Sequence, residues 1–174
     1  MSLSFKQHLV SRGVFAAVVV SFFTSLTAFA QTGYYRQPAI QGDVVVFVAE
    51  GDLWRVGVNG GSAQRLTTNL AEETLPRISP DGKLVAFTAR YEGPAEVYVM
   101  PLAGGLPTRL THEGDNARVQ GWDAAGRVLY ASARYSGKPE PRLYAVDART
   151  KLSQPVPLAE AAEGCYLGDR KSVV

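Results

Sequence analysis

The residues able to do chemistry are few, and their spacing limits what they could do. The chain has two histidines, His8 and His112, and a single cysteine, Cys165. One thiol with one imidazole is the minimum set for a cysteine nucleophile and its base. Cys165, however, opens a stretch expected to form a strand, where a small buried thiol is the ordinary state. His112 would need a serine on a sharp turn, and no Gly-x-Ser-x-Gly stretch occurs. It reads as a surface loop residue. Carboxylates cluster at Glu72-Glu73 and around Asp115-Asn116 without the Asp-x-Asp-x-Asp-Gly spacing that wraps calcium. The double glycines Gly60-Gly61 and Gly104-Gly105 precede neither Lys-Ser/Thr nor a helix start, so they make no phosphate cradle. The expectation is a chain with no catalytic, cofactor-binding or metal-binding residue, and with no cofactor.

A repeat stands where a motif would. Shifted by 44 residues, "DLWRVGVNGGSAQRLT" from Asp52 falls on "EVYVMPLAGGLPTRLT" from Glu96, with both double glycines and both Arg-Leu-Thr endings in register. The same shift lays "GKLVAFTARYEG" on "GRVLYASARYSG". The turn Ser79-Pro80-Asp81-Gly82 returns as Asp123-Ala124-Ala125-Gly126, keeping only its glycine. A ligand loop would keep its acid and hydroxyl positions; a turn needs chiefly the permissive glycine.

Each unit holds four short alternating runs separated by Gly and Pro turns. Four strands in a period of 40 to 50 residues are the pattern of a β-propeller blade. The predicted fold is all-β: about three four-stranded blades, over 34–68, 76–112 and 118–157, plus the start of a fourth over 164–174. Residues 158–164 are expected to form a loop with one turn at most. Aromatics that recur at the repeat interval, Trp54 with Tyr98 and Tyr91 with Tyr135, fit blade-to-blade packing. The loops 69–75 and 113–118 would lie at one mouth of a central channel. There Glu72, Glu73, Glu113, Asp115 and Arg118 could select on charge.

The first thirty residues read as an export signal. Lys6, His8 and Arg12 precede an apolar run over 13–23, too short to span a bilayer, and Ala28-Phe29-Ala30 offers a cleavage site after Ala30. The mature part, 31–174, would then be exported, most simply to a periplasm. Loss of Lys6 and Arg12 takes the basic count from 18 to 16, equal to the 16 acidic residues. A neutral chain argues against nucleic-acid and anionic-membrane surfaces. One cysteine allows no internal disulfide, so stability must come from packing.

Three passages, "GYYRQPAIQGDVVVFVAEGDLWRV", "GGSAQRLTTNLAEETLPRISPDGKLVAFTARYEGPAEVYVMPLAGGLPTRLTHEG" and "LYAVDA", resemble the start of the tricorn protease family. The resemblance implies a six-bladed propeller, followed by a seven-bladed one and by domains with serine peptidase chemistry. It also implies that the propeller gates or channels peptides, with peptides and the parent's other domains as partners and a homo-oligomeric whole. Some relatives of this kind are cytoplasmic, which is the alternative location. The catalytic residues would lie beyond Val174, so no position here inherits them. "SPDGK" alone is shared with TolB propellers, and a TolB-like periplasmic interaction module without enzyme activity is the alternative function. Six blades would need about 264 residues, so the chain is expected to be the first part of a propeller that breaks off within a strand. An open stack leaves two sheet faces without a neighbour. The isolated chain should therefore self-associate in sedimentation experiments; a monodisperse, heat-stable monomer would contradict this.

Overall fold

The computed structural model describes residues 34–136 and 140–157, and the backbone of 165–167 and 170–173. The expected export signal, the 158–164 loop and the side chain of Cys165 lie outside the described residues. Every regular element described is a strand. The first sheet comprises β1 (Arg36–Gln41), β2 (Val44–Ala49), β3 (Asp52–Gly57) and β4 (Gly60–Arg65). The second comprises β5 (Glu73–Ile78), β6 (Leu84–Ala89), β7 (Glu96–Pro101) and β8 (Thr108–Arg109). The third comprises β9 (Arg118–Trp122), β10 (Val128–Ser132), β11 (Arg142–Val146) and β12 (Ser153–Pro155). Each sheet runs in sequence order with antiparallel neighbours, and a two-stranded piece, β13 (Cys165–Leu167) with β14 (Arg170–Val173), follows. Three four-stranded meanders and the start of a fourth are the blades that the repeat predicts.

Blade stacking follows from the period of two along a strand. In β6, Val85 and Phe87 face the first blade, where they pack with Val46, Val48 and Leu53, while Ala86 faces the third. In β7, Tyr98 and Met100 join the first seam, and Val97 and Val99 join the second with Val119, Val128 and Tyr130. A strand with neighbours on both faces is buried along its length: Val85 to Ala89 are all buried, and the one polar residue among them, Thr88, accepts the Val119 N–H at 2.9 Å. Phe87 stacks on Tyr98 with ring centroids 5.9 Å apart, and Tyr91 closes on the same ring at 4.7 Å.

The first strands begin earlier than a proline-led reading expects. β5 starts at Glu73, three residues before Pro76, because the ladder to β6 slips between Thr74 and Arg77 and leaves Leu75 and Pro76 in a bulge. A proline lacks the N–H a regular ladder needs, and a bulge accommodates it. Leu75 takes a φ of 53°, and its N–H is satisfied across the seam by Gln37 Oε1 at 2.7 Å. Gln37, which also precedes a proline, has a φ of 51° in the matching bulge of β1.

The turn at residues 79–82 is held by its own side chains. Ser79 Oγ donates to Asp81 at 2.6 Å and accepts the Leu84 N–H at 2.9 Å, while Gly82 adopts a φ of 70°. In the third blade Asp123 supplies the acceptor instead, taking the Arg127 N–H at 2.8 Å, with Gly126 at 77°. Different side chains thus close one turn, as expected of punctuation. Because Phe87 is fully buried in the first seam, Phe87→Ala should cost about 3–5 kcal/mol in denaturant unfolding. A loss below about 1 kcal/mol would show that the seam is not packed as described.

Candidate functional site

Most of the polar residues that recur in sequence meet in one arrangement, found twice. In the second blade, Thr111 Oγ1 accepts the Val97 N–H at 2.9 Å and donates to Glu96 Oε2 at 2.5 Å. Arg109 reaches Glu96 Oε1 at 3.0 Å and the Thr111 carbonyl at 2.8 Å, and the Gly114 N–H donates to Glu96 at 3.0 Å. In the first blade Thr67 accepts the Leu53 N–H at 2.8 Å, and Arg65 pairs with Asp52 and with the Thr67 carbonyl. Each set ties the end of an outer strand to the start of the strand beside it. Arg-Leu-Thr with an upstream acid is therefore a latch, and its acid, base and hydroxyl are consumed in holding the blade closed.

The two latches differ in electrostatics. Burial alone would raise the Glu96 pKa, but Thr111, the Gly114 and Glu113 N–H groups and Arg109 outweigh it and hold the carboxyl below its ordinary value. At the first latch a second carboxyl intrudes. Glu73, fully buried, accepts from Thr67 at 2.8 Å and from the Tyr91 hydroxyl at 2.6 Å. Here burial outweighs those donors and Glu73 is raised above its ordinary value. Burial, then the neighbouring Glu73, raises Tyr91 as well.

The five charges expected at the channel mouth divide. Glu72 is exposed and pairs with Arg36 at 2.5 Å; Asp115 and Arg118 are also exposed. Glu73 and Glu113 are not free to select anything, which corrects the expectation. Composition over 69–75 predicts a loop for both Glu72 and Glu73, but Glu73 already belongs to β5, and adjacent side chains there point to opposite faces. Glu113 turns inward to accept from the Tyr130 hydroxyl at 2.8 Å. His112 is exposed, and its backbone carbonyl accepts a hydrogen bond from Arg134. No group of three or more metal-ligating side chains occurs among the described residues.

A cavity of about 270 Å³ lies beside the first strands, lined by Gln37, Glu72, Thr74, Leu75, Arg90 and Arg118 among others. Arg90 hydrogen-bonds Asn116 at 2.9 Å, whereas Arg118 has no ion pair among the described residues. The sequence reading missed Gln37 and Arg90 here. Gln37 sits in a bulge with no local signal, and Arg90 looked like one member of the repeated Ala-Arg-Tyr.

Three stacked antiparallel meanders with the first strands adjacent define a β-propeller. A family model described as the Tricorn protease N-terminal beta propeller domain matches residues 32–174. The chain belongs to that family. It is 44% identical over 104 residues, 59% of its length, to tricorn protease homolog 1 of Streptomyces coelicolor, of which this covers 10%. A putative tricorn-like protease N-terminal subunit of Sulfurisphaera tokodaii is 26% identical over 155 residues, covering 86% of this chain and 78% of that one. The chain thus spans about a tenth of the length of the Streptomyces relative. Among solved structures, the tricorn protease superposes with a TM-score of 0.69 at 23% identity, over 78% of this chain and 14% of the other. A putative TolB from Agrobacterium tumefaciens gives 0.64 at 23% identity, over 77% and 49%. These structural likenesses establish the fold alone.

Thr111→Val would leave the Val97 N–H and a Glu96 oxygen without partners, at an expected cost of about 1–3 kcal/mol in stability. Because Glu96 is depressed in the folded state, its contribution is present above the ordinary carboxylate range. It is lost as pH falls through the lower folded value. Acid melting curves of the variant should accordingly be flatter than those of the parent; parallel curves would refute the latch.

Proposed function

We propose that this chain is the non-catalytic propeller portion of a tricorn-type serine peptidase acting on oligopeptides, and that it admits or passes peptides according to their charge. The proposal includes export by the signal over 1–30 and assembly with the parent's other domains and with further copies. The observation that carries it is the division of polar groups. Those buried at the seams are tied into hydrogen bonds, Glu113 Oε2 excepted, while Glu72, in a surface pair with Arg36, and Arg118 are exposed beside the cavity. Family membership supplies the peptidase context and the peptide class.

An accessible cation attracts acidic peptides and a carboxylate repels them, with effects that salt screens. In the full-length enzyme, Arg118→Ala should lower kcat/KM for acidic relative to basic peptides by about fivefold, the equivalent of roughly 1 kcal/mol. Glu72→Gln, which frees Arg36, should move the ratio the other way. Both shifts should fade at high salt. An unchanged ratio in both variants would overturn the charge-sorting role.

A further inference from the structure

Each latch has a second carboxyl, but the two are placed differently: Glu92 of the second is exposed and pairs with Arg109 at 2.7 Å, whereas Glu73 of the first is buried against the threonine hydroxyl, and that placement has a chemical consequence. Glu73 takes the place held in the next unit by Ala117, 44 residues on, and it is completely buried. Its Oε2 lies 2.8 Å from Thr67 Oγ1, which itself lies 3.4 Å from Asp52 Oδ1; its Oε1 accepts from Tyr91 at 2.6 Å. Thr67 Oγ1 also accepts the Leu53 N–H at 2.8 Å. A hydroxyl has one proton to give. With both carboxyls ionised, Thr67 can donate to only one of them, and Arg65, paired with Asp52, is the one cation at the site among the described residues.

A proton on Glu73 Oε2 resolves the shortage. Glu73 then donates to Thr67 Oγ1, Thr67 turns its own proton toward Asp52 Oδ1, and Tyr91 still donates to Glu73 Oε1. The hydroxyl would accept from Leu53 and Glu73 and donate to Asp52, using its full capacity. We propose that Glu73 is a proton-operated joint between the first two blades: protonated, it closes the Glu73–Thr67–Asp52 chain, and deprotonated, it loosens the seam.

The groups bearing on Glu73 come from each neighbouring segment. They are Asp52 at the start of β3, Arg65 at the end of β4, Thr67 beyond it, and Tyr91 in the loop after β6. Arg36 from β1 is engaged by Glu72, and Arg90 and Arg118 line the cavity, of which Glu73 is not part. The Glu73 N–H donates to the Gly51 carbonyl at 2.8 Å, pinning the β2–β3 turn to the first turn of the chain's path into β5. Its sequence neighbours Glu72 and Thr74 form part of the cavity wall. Loosening at Glu73 would therefore reach that wall.

Raised in the folded state, Glu73 contributes stability that is complete below the ordinary carboxylate value and is lost as pH rises through the folded value. The second latch, with Glu96 depressed, responds in the opposite sense and serves as an internal reference. The test is amide hydrogen exchange of the full-length protein across mildly acidic to neutral pH, corrected for intrinsic rates, comparing segments 66–75 and 110–117. Protection of 66–75 should fall by up to about tenfold per pH unit between the open-state and closed-state values of Glu73, then level off. Protection of 110–117 should instead fall on acidification. Glu73→Gln should abolish the slope in 66–75, and Asp52→Asn should move it to lower pH. Should Glu73→Gln fail to fold, Tyr91→Phe removes a donor that favours the ionised form and should move the slope upward by about one pH unit. A flat parent profile, a slope that survives Glu73→Gln, or a slope unmoved by both Asp52→Asn and Tyr91→Phe would overturn the proposal.

Discussion

Apolar burial between successive sheets is the constraint on which the rest of the structure depends. A four-stranded meander of this size has two faces and cannot cover both by itself. The middle blade solves the problem by sending alternate residues of β6 and β7 to opposite neighbours: Val85, Phe87, Tyr98 and Met100 one way, Ala86, Val97 and Val99 the other. Everything polar must then be fitted around those seams. Burial of a polar group without a partner costs more than a typical hydrogen bond contributes. This is why the acids and hydroxyls of the repeat appear as linked sets.

Those sets explain why the recurring acids, bases and hydroxyls of the repeat are engaged with one another. Thr67, Thr111, Asp52, Glu96, Arg65 and Arg109 resemble parts of an active site when read one at a time. In the structure they bind each other or strand amides, and their remaining capacity is small. The third blade shows that the latch is an addition to the fold. There the Val156 N–H still reaches the Leu143 carbonyl at 3.0 Å, as Leu110 reaches Val97, but Pro155 and Pro157 flank it in place of Arg and Thr. The outer strand pairs without any latch over Ser153–Pro155.

Strand count, sheet order and the role of the Ser-Pro-Asp-Gly turn were legible in the sequence because each leaves a trace at the repeat interval. Periodicity reports which residues recur, and recurrence here means packing and closure. The inward turn of Glu73 was not legible, since it depends on β5 starting before Pro76, and the bulge that permits this has no compositional mark beyond the proline. The inward turn of Glu113 leaves no local mark for a related reason: its partner, Tyr130, lies seventeen residues away in the next blade. Gln37 and Leu75 at positive φ are a tertiary effect of the same bulges. Of the expected charged mouth, Glu72 and Asp115 lie in exposed loop as composition would put them, and Arg118 is exposed at the first position of β9.

Under the proposed function, the polar groups described here hold the blades together, and covalent catalysis takes place outside residues 34–157. A serine-directed covalent probe applied to the active full-length protein, followed by peptide mapping, tests it most directly. The account predicts a single modified hydroxyl outside residues 34–157. Stoichiometric labelling of Thr67, Thr111, Ser153 or any other hydroxyl within that span would contradict it.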